Sequence, residues 1–229
     1  MVLVFSCGRT GTNLVLEILT GSSVLSPSPY PEDKQVFKRD IVYPYNYLTK
    51  SDSIYCSDFG ELSNFMKKNF HCKILWTVRH PYDVAMSKIY RGWGHADDAN
   101  LKGCVKDMFW AAYLYREIIC CFPDRVRATK MENIIQNTKN EIGSICSFLN
   151  IKFEDAMMYP HLRMRHELYK NQYSKGIHKS EVDKYKEWKT IYDGFFVNKI
   201  DFDMTELFEK VKPLVKTYEY GDDVYGGIS

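Results

Sequence analysis

The sequence predicts an α/β protein, three layers deep, with a central parallel sheet flanked by helices. Three observations predict it. Strand-like and helix-like runs alternate along the chain, the pattern of a sheet wound by crossover helices. The run "CKILWTV" at 72–78 is apolar without alternation, as a strand buried on both faces must be. Two short turns, "SCGRTGTNL" at 6–14 and "VRHPYDVAMS" at 78–87, each stand where a strand run gives way to a helix run.

The elements follow in order. "VLVF" at 2–5 is a strand, and a helix runs from about Thr12 to Thr20, where Gly21 can end it. "SSVLSPSPYPED" at 22–33 is a Pro/Ser-rich surface loop. "QVFK" at 35–38 and "SIYCS" at 53–57 are expected as short strands, and "FGELSNFMKKNF" as a helix. After the 72–78 strand, helices are expected at 81–91 and 101–121, a strand at 125–130, and a helix at 138–150 with Ile142, Ile145 and Leu149 along one face. The rest is expected to be mainly helical, ending in a helix near 204–217. No repeat, low-complexity tract or long linker divides the chain, so one domain over 1–229 is expected.

The bulk properties narrow the function. A chain of 229 residues, 45% hydrophobic and 26% charged, can bury a substantial core. A net charge of +2 excludes a strong global pull toward nucleic acid or anionic membrane, so any basic site is local. No apolar run approaches the roughly 20 residues of a membrane span. Arg9 and a Gly-rich loop interrupt the N-terminal apolar run, unlike a signal peptide. Seven cysteines without CxxC spacing argue for reduced thiols, with Cys120 and Cys121 packing a helix. A cytoplasmic protein is expected. The six histidines show no metal-ligand spacing.

Three chemistries hold phosphate or sulfate in a loop like 6–14: nucleotide-dependent kinases, cysteine phosphatases and sulfotransferases. The kinase loop needs G-x-x-x-x-G-K-[ST], but Gly8 and Gly11 are too close and no lysine follows. "GRTGT" matches the end of a tyrosine phosphatase loop, yet that chemistry needs a thiolate six residues before the arginine. Leu3 holds that place, and Cys7 is only two residues before Arg9. What remains is a loop in which Gly11 lets backbone approach an anion, helix N-terminal amides point at it, and Arg9 adds charged donors.

Arg9-Thr10-Gly11-Thr12-Asn13 resembles the 5′-phosphosulfate loop of P-loop sulfotransferases, [RK]-[ST]-G-[ST]-[TSN]. "VRHPYDVAMS" matches that family's 3′-phosphate motif, R-x-P-x-D-x-x-x-S, at every defined position. Pro81 suits a first helical position, Asp83 complements the helix dipole, and Arg79 and Ser87 can grip one phosphate from two sides. "YREIICCFPDRVRATKMENI" is similar to the stretch in which a helix leads to a strand ending near an acidic residue, here Glu132. "YSKGIHKSEVDKYKEW" resembles the segment that closes over the 3′-phosphate, through Lys175-Gly176 or through Lys184 and Lys186. One departure is Leu14, where cytosolic members carry a tryptophan that packs on the adenine.

The resemblance implies a P-loop nucleotide-kinase-like fold and the donor 3′-phosphoadenosine 5′-phosphosulfate, with adenosine 3′,5′-bisphosphate as product and no metal. It implies sulfuryl transfer to a hydroxyl or amine of a small-molecule or glycan acceptor. Cofactor-binding residues would be Arg9, Thr10, Gly11, Thr12, Asn13, Arg79, Ser87, Lys175 and Gly176. Family members place the base at the end of the second strand, often near a lysine. In "VFKRDI" that makes Asp40 the base and Lys38 the stabiliser of the leaving oxygen, with Arg39 able to hold substrate. Glu32 and His95 are the other base candidates, and Trp93, His95, Asp97 and Asp98 could line the acceptor pocket. A kinase on the same architecture, or an inactive nucleotide-binding protein, are the competing readings.

Overall fold

The computed structural model describes residues 1–30, 32–90, 101–160 and 204–220. Its strands are β1 (Val2–Ser6), β2 (Ser26–Pro27), β3 (Tyr47–Asp52), β4 (Lys73–Val78) and β5 (Val126–Lys130). They form one sheet, ordered β2-β3-β1-β4-β5, with every neighbouring pair parallel. The helices are α1 (Thr12–Leu19), α2 (Phe59–Lys68), α3 (Pro81–Tyr90), α4 (Leu101–Cys121), α5 (Met131–Gln136), α6 (Thr138–Leu149) and α7 (Met204–Thr217).

Strand alternation builds the two outer layers. Leu3, Phe5, Ile74 and Trp76 face α2, α3, α4 and α7. Val2, Val4 and Leu75 face α1, α5 and α6. Trp76 is fully buried and meets Phe5 edge-on at 5.0 Å, a geometry that adds about 0.5–1.5 kcal/mol to area burial. Asp58 caps α2 by accepting from the Glu61 amide at 2.8 Å, and Lys67 and Lys68 complement the dipole at its other end.

Three local expectations are corrected. Residues 35–38 form a turn, not a strand. The Asp33 carboxylate accepts from the Gln35 amide, and the Lys38 and Arg39 amides return to the Gln35 carbonyl. Val36 and Phe37 are apolar because the turn plugs them into the core, where Phe37 meets Phe5 and Phe65. Ser53–Tyr55 is a 3₁₀ turn, and the strand precedes it as β3. Cys120 and Cys121 are exposed at the end of α4 rather than packed. No helix among the described residues is long and apolar enough to cross a membrane.

The strand order sets the site. The chain leaves β1 toward β3 on one side, and leaves β4 toward β5 on the other. Connections diverge between β1 and β4, so a crevice opens beyond their carboxyl ends, where doubly wound sheets bind ligands. The loops bordering it are residues 7–11 and 79–80.

Candidate active site

The first loop is shaped by two left-handed residues, Arg9 at φ 79° and Gly11 at φ 92°. Gly11 is the N-cap of α1 and brings no capping side chain, so the helix presents its first-turn amides to the crevice uncapped by its own sequence. Glycine is required here for two reasons: its φ, and Met131, whose Sδ fills the space a Cβ would take. The close approach comes from the core below, not only from an anion above. Gly11→Ala is therefore expected to cost about 2–4 kcal/mol and lower the melting temperature by roughly 5–15 °C, checked by thermal denaturation.

Thr10 is buried, with its hydroxyl bonded to the Cys7 carbonyl and to Thr77 Oγ1, each at 2.8 Å. It ties the loop to β4. Thr12 and Asn13 open α1, and Asn13 Oδ1 accepts from Lys50 Nζ at 2.7 Å. Leu14 points into the core with Val2 and Val4, so the position where cytosolic sulfotransferases carry tryptophan lines no nucleotide surface here. Burial pushes the Cys7 thiol up to about 12, which leaves the loop without a thiolate.

The second motif meets the first. Arg9 Nε donates to Ser87 Oγ at 2.8 Å, across 78 residues of sequence. Arg79 pairs with Asp83 at 3.5 Å, with both side chains nine-tenths buried or nearly so. Asp83, four residues on, aims the guanidinium. The following amide, His80 N, donates to Glu132 Oε1 at 2.8 Å, so the acidic residue after β5 holds the Arg79 loop. Burial, reinforced by Arg79, drives the His80 imidazole down to about 3 and keeps it neutral.

The predicted base region lies elsewhere. Asp40 is fully exposed and ion-paired to Lys68 of α2, which holds its carboxyl below the usual range. Lys38 and Asp40 border a groove with Glu61, Asn64, Phe65 and Lys68. That groove shares no residue with the loops at 7–11 and 79–80. Arg39 pairs with Asp33 at 2.7 Å inside the turn. These placements set Asp40 and Lys38 apart from the loops at 7–11 and 79–80. Glu32 lies 3.1 Å from Lys50. His95, Trp93, Asp97, Asp98, Lys175, Gly176, Lys184 and Lys186 lie outside the described residues.

Strand β3 supplies what the sequence reading missed. Its register sets Lys50 beside Val4 and Asp52 beside Ser6, at the carboxyl end of the sheet next to the first loop. Thr49, Lys50, Ser51 and Asp52 are all buried. The Asp33 amide donates to the Lys50 carbonyl at 2.7 Å and Ser51 Oγ to the Asp33 carbonyl at 2.9 Å, which lays Glu32 against Lys50. Asp52 accepts from the Ile54 amide at 3.2 Å, and the turn beyond is pinned by Trp110 Nε1 donating to Ser53 and Cys56 carbonyls. Burial raises the Asp52 carboxyl to about 6, against the opposing pull of the Ile54 amide and Lys88. Lys88, one residue after Ser87, is itself buried and pairs with Asp107 of α4 at 3.2 Å. The available signal was the Lys-x-Asp spacing in "YLTKSD", where four polar residues mask the strand.

A carboxyl poised near neutrality, a lysine at a helix N-terminus and two arginines thus lie at the carboxyl ends of β1, β3 and β4. They can bind two anionic groups and take a proton from a third. No family model and no curated protein sequence matches the chain. Solved structures do. The sulfotransferase domain from the curacin biosynthetic pathway gives a TM-score of 0.69 at 15% identity, covering 96% of this chain and 98% of that one. The sulfotransferase domain from the Synechococcus PCC 7002 olefin synthase gives 0.66 at 17%, covering 96% and 94%. A sulfotransferase from Alicyclobacillus acidocaldarius gives 0.55 at 11%, covering 96% of each. The chain has the fold of these sulfotransferases.

Proposed function

We propose that this chain, built on the sulfotransferase fold, is itself a sulfotransferase. It moves a sulfuryl group from 3′-phosphoadenosine 5′-phosphosulfate to a hydroxyl or amine of a small-molecule or glycan acceptor. The observation that carries this reading is the Arg9–Ser87 hydrogen bond, which joins two anion-binding motifs in one crevice. A loop with two left-handed residues and an uncapped helix N-terminus suits the 5′ end of the donor. Arg79 and Ser87 suit its 3′-phosphate, with Lys175 and Gly176 closing over it. When bound, the donor supplies an electrophilic sulfur and a phosphate leaving group.

The chain's own residues do the rest. Asp52 accepts the acceptor's proton; a carboxyl near 6 is ionised at neutral pH yet basic enough to help. Lys50, held by Asn13 and Glu32, keeps an ammonium at the α1 N-terminus, where charge on the leaving oxygen develops. Arg9, oriented by Ser87, adds fixed donors on the same side. Positioning and charge stabilisation supply most of the rate, as in phosphoryl transfer. Cysteines without paired spacing favour a reducing compartment, so the proposed location is the cytoplasm.

The test is ligand-induced stabilisation followed by transfer. Adenosine 3′,5′-bisphosphate at 100 times its Kd should stabilise the protein by about 2.7 kcal/mol, raising the melting temperature by roughly 5–11 °C. Labelled sulfate should then pass from the donor to members of an acceptor panel. Stabilisation by ATP-magnesium alone would replace this reading with a kinase. Bisphosphate binding with no transfer to any acceptor would replace it with a binding protein.

A further inference from the structure

We infer that the turn after α7, Tyr218–Tyr220, is a strap that positions the Arg79 anion site, with Tyr220 acting through Glu132. The inference rests on the reading of Arg79 as a phosphate ligand.

The turn has a defined geometry. The Glu219 amide donates to the Lys216 carbonyl at 3.1 Å and the Tyr220 amide to the Val215 carbonyl at 2.9 Å. With Glu219 left-handed at φ 55°, this is a Schellman cap. It reverses the chain and sends Tyr220 back toward β5. There Tyr220 Oη donates to Glu132 Oε2 at 2.7 Å, while the other carboxylate oxygen accepts from the His80 amide at 2.8 Å. His80 immediately follows Arg79, so a single carboxylate bridges the tail and the peptide that carries the arginine. The Tyr220 and His80 rings meet edge-on at 5.0 Å. Lys130 locks the strap from below: its Nζ donates to the Glu219 carbonyl at 2.9 Å and sits 4.4 Å from the Tyr220 ring centroid. Tyr218, on the other side of the turn, shares a small cavity with Cys7, Thr10, Thr77 and Arg79. The strap therefore meets the 79–80 loop through Tyr220 and lines, through Tyr218, a cavity shared with residues of the 7–11 loop. Losing the Tyr220 hydroxyl strips one partner from a partly buried carboxylate, and the Glu132–His80 contact loosens with it.

Tyr220→Phe in the full chain removes one hydroxyl and keeps the ring contacts. The expected result is a roughly tenfold rise in the Kd for adenosine 3′,5′-bisphosphate, with the KM for the acceptor unchanged. Exchange of the His80 amide should accelerate by about tenfold, measured by hydrogen exchange without nucleotide. In a Glu132→Gln background, Tyr220→Phe should add little, because both act through one contact. Unchanged Kd and unchanged His80 exchange in Tyr220→Phe would overturn the strap, as would equal losses in donor and acceptor affinity. If the wild-type chain binds no bisphosphate, the functional reading fails, while His80 exchange still decides whether Tyr220 holds the loop.

Discussion

Asparagine in place of Asp52 is expected to lower kcat by about 10²–10⁴-fold, the usual contribution of a positioned base, while bisphosphate affinity stays within about twofold. The isostere keeps the acceptor oxygen for the Ile54 amide, so the local turn survives. In the wild-type protein, kcat should rise with pH and level off above about 6, following the buried carboxyl. The same substitution has a second readout. A carboxyl raised from 3.8 to about 6 means the native state holds a proton that the unfolded chain has already released. Native stability therefore falls as pH rises through that window, and the full cost is present above it. At about 1.36 kcal/mol per unit, that cost is on the order of 3 kcal/mol. Asp52→Asn removes it, so at pH 8 the inactive variant should melt higher than the wild type, and at pH 4 the difference should vanish. An active variant, or one that melts lower at pH 8, would remove Asp52 from the base position.

Arg79→Ala is expected to weaken adenosine 3′,5′-bisphosphate binding by about 10²–10⁴-fold, the loss of two charge-assisted hydrogen bonds at roughly 1.5–3 kcal/mol each. Calorimetric titration measures it. The substitution also takes the Arg79 guanidinium from Asp83, whose side chain is 7% exposed, and removing one member of a buried pair costs about 3–5 kcal/mol of fold stability. Arg79→Lys separates the two effects. It keeps a charge beside Asp83 but loses the planar fork, so it should fold nearly as well as the wild type and still bind the bisphosphate poorly. Full binding by the lysine variant would mean that Arg79 serves Asp83 rather than a phosphate.

Much of this site was legible in the linear chain. The two motifs are local objects: a left-handed turn before a helix, and a strand end followed by Pro81 and Asp83. Their spacing fits within a single loop and the helix turns that follow, so short-range sequence determines them, including the absence of a thiolate at Leu3. The alternation of runs determined the class of fold, and β1, β4, β5 and the final helix fall where their apolar patterns place them. The elements misread were those in which tertiary contact overrides pattern. Val36 and Phe37 look like a strand because the core takes them from a turn. Thr49, Lys50, Ser51 and Asp52 give no strand signal because a strand leading into a crevice is polar where an ordinary central strand is not.

The proposed base shows the division most clearly. Lys38-Arg39-Asp40 and Lys50-Ser51-Asp52 carry the same Lys-x-Asp spacing. Nothing within either triplet says which one ends a strand beside the loop at 7–11. That is decided by register, Val4 against Lys50 and Ser6 against Asp52, between segments more than forty residues apart. The linear chain by itself determined the fold class and the two strand-to-helix motifs, because those are set by neighbours in sequence. Tertiary structure alone decided which carboxylate shares the crevice with them, and burial there gives that carboxylate its raised pKa.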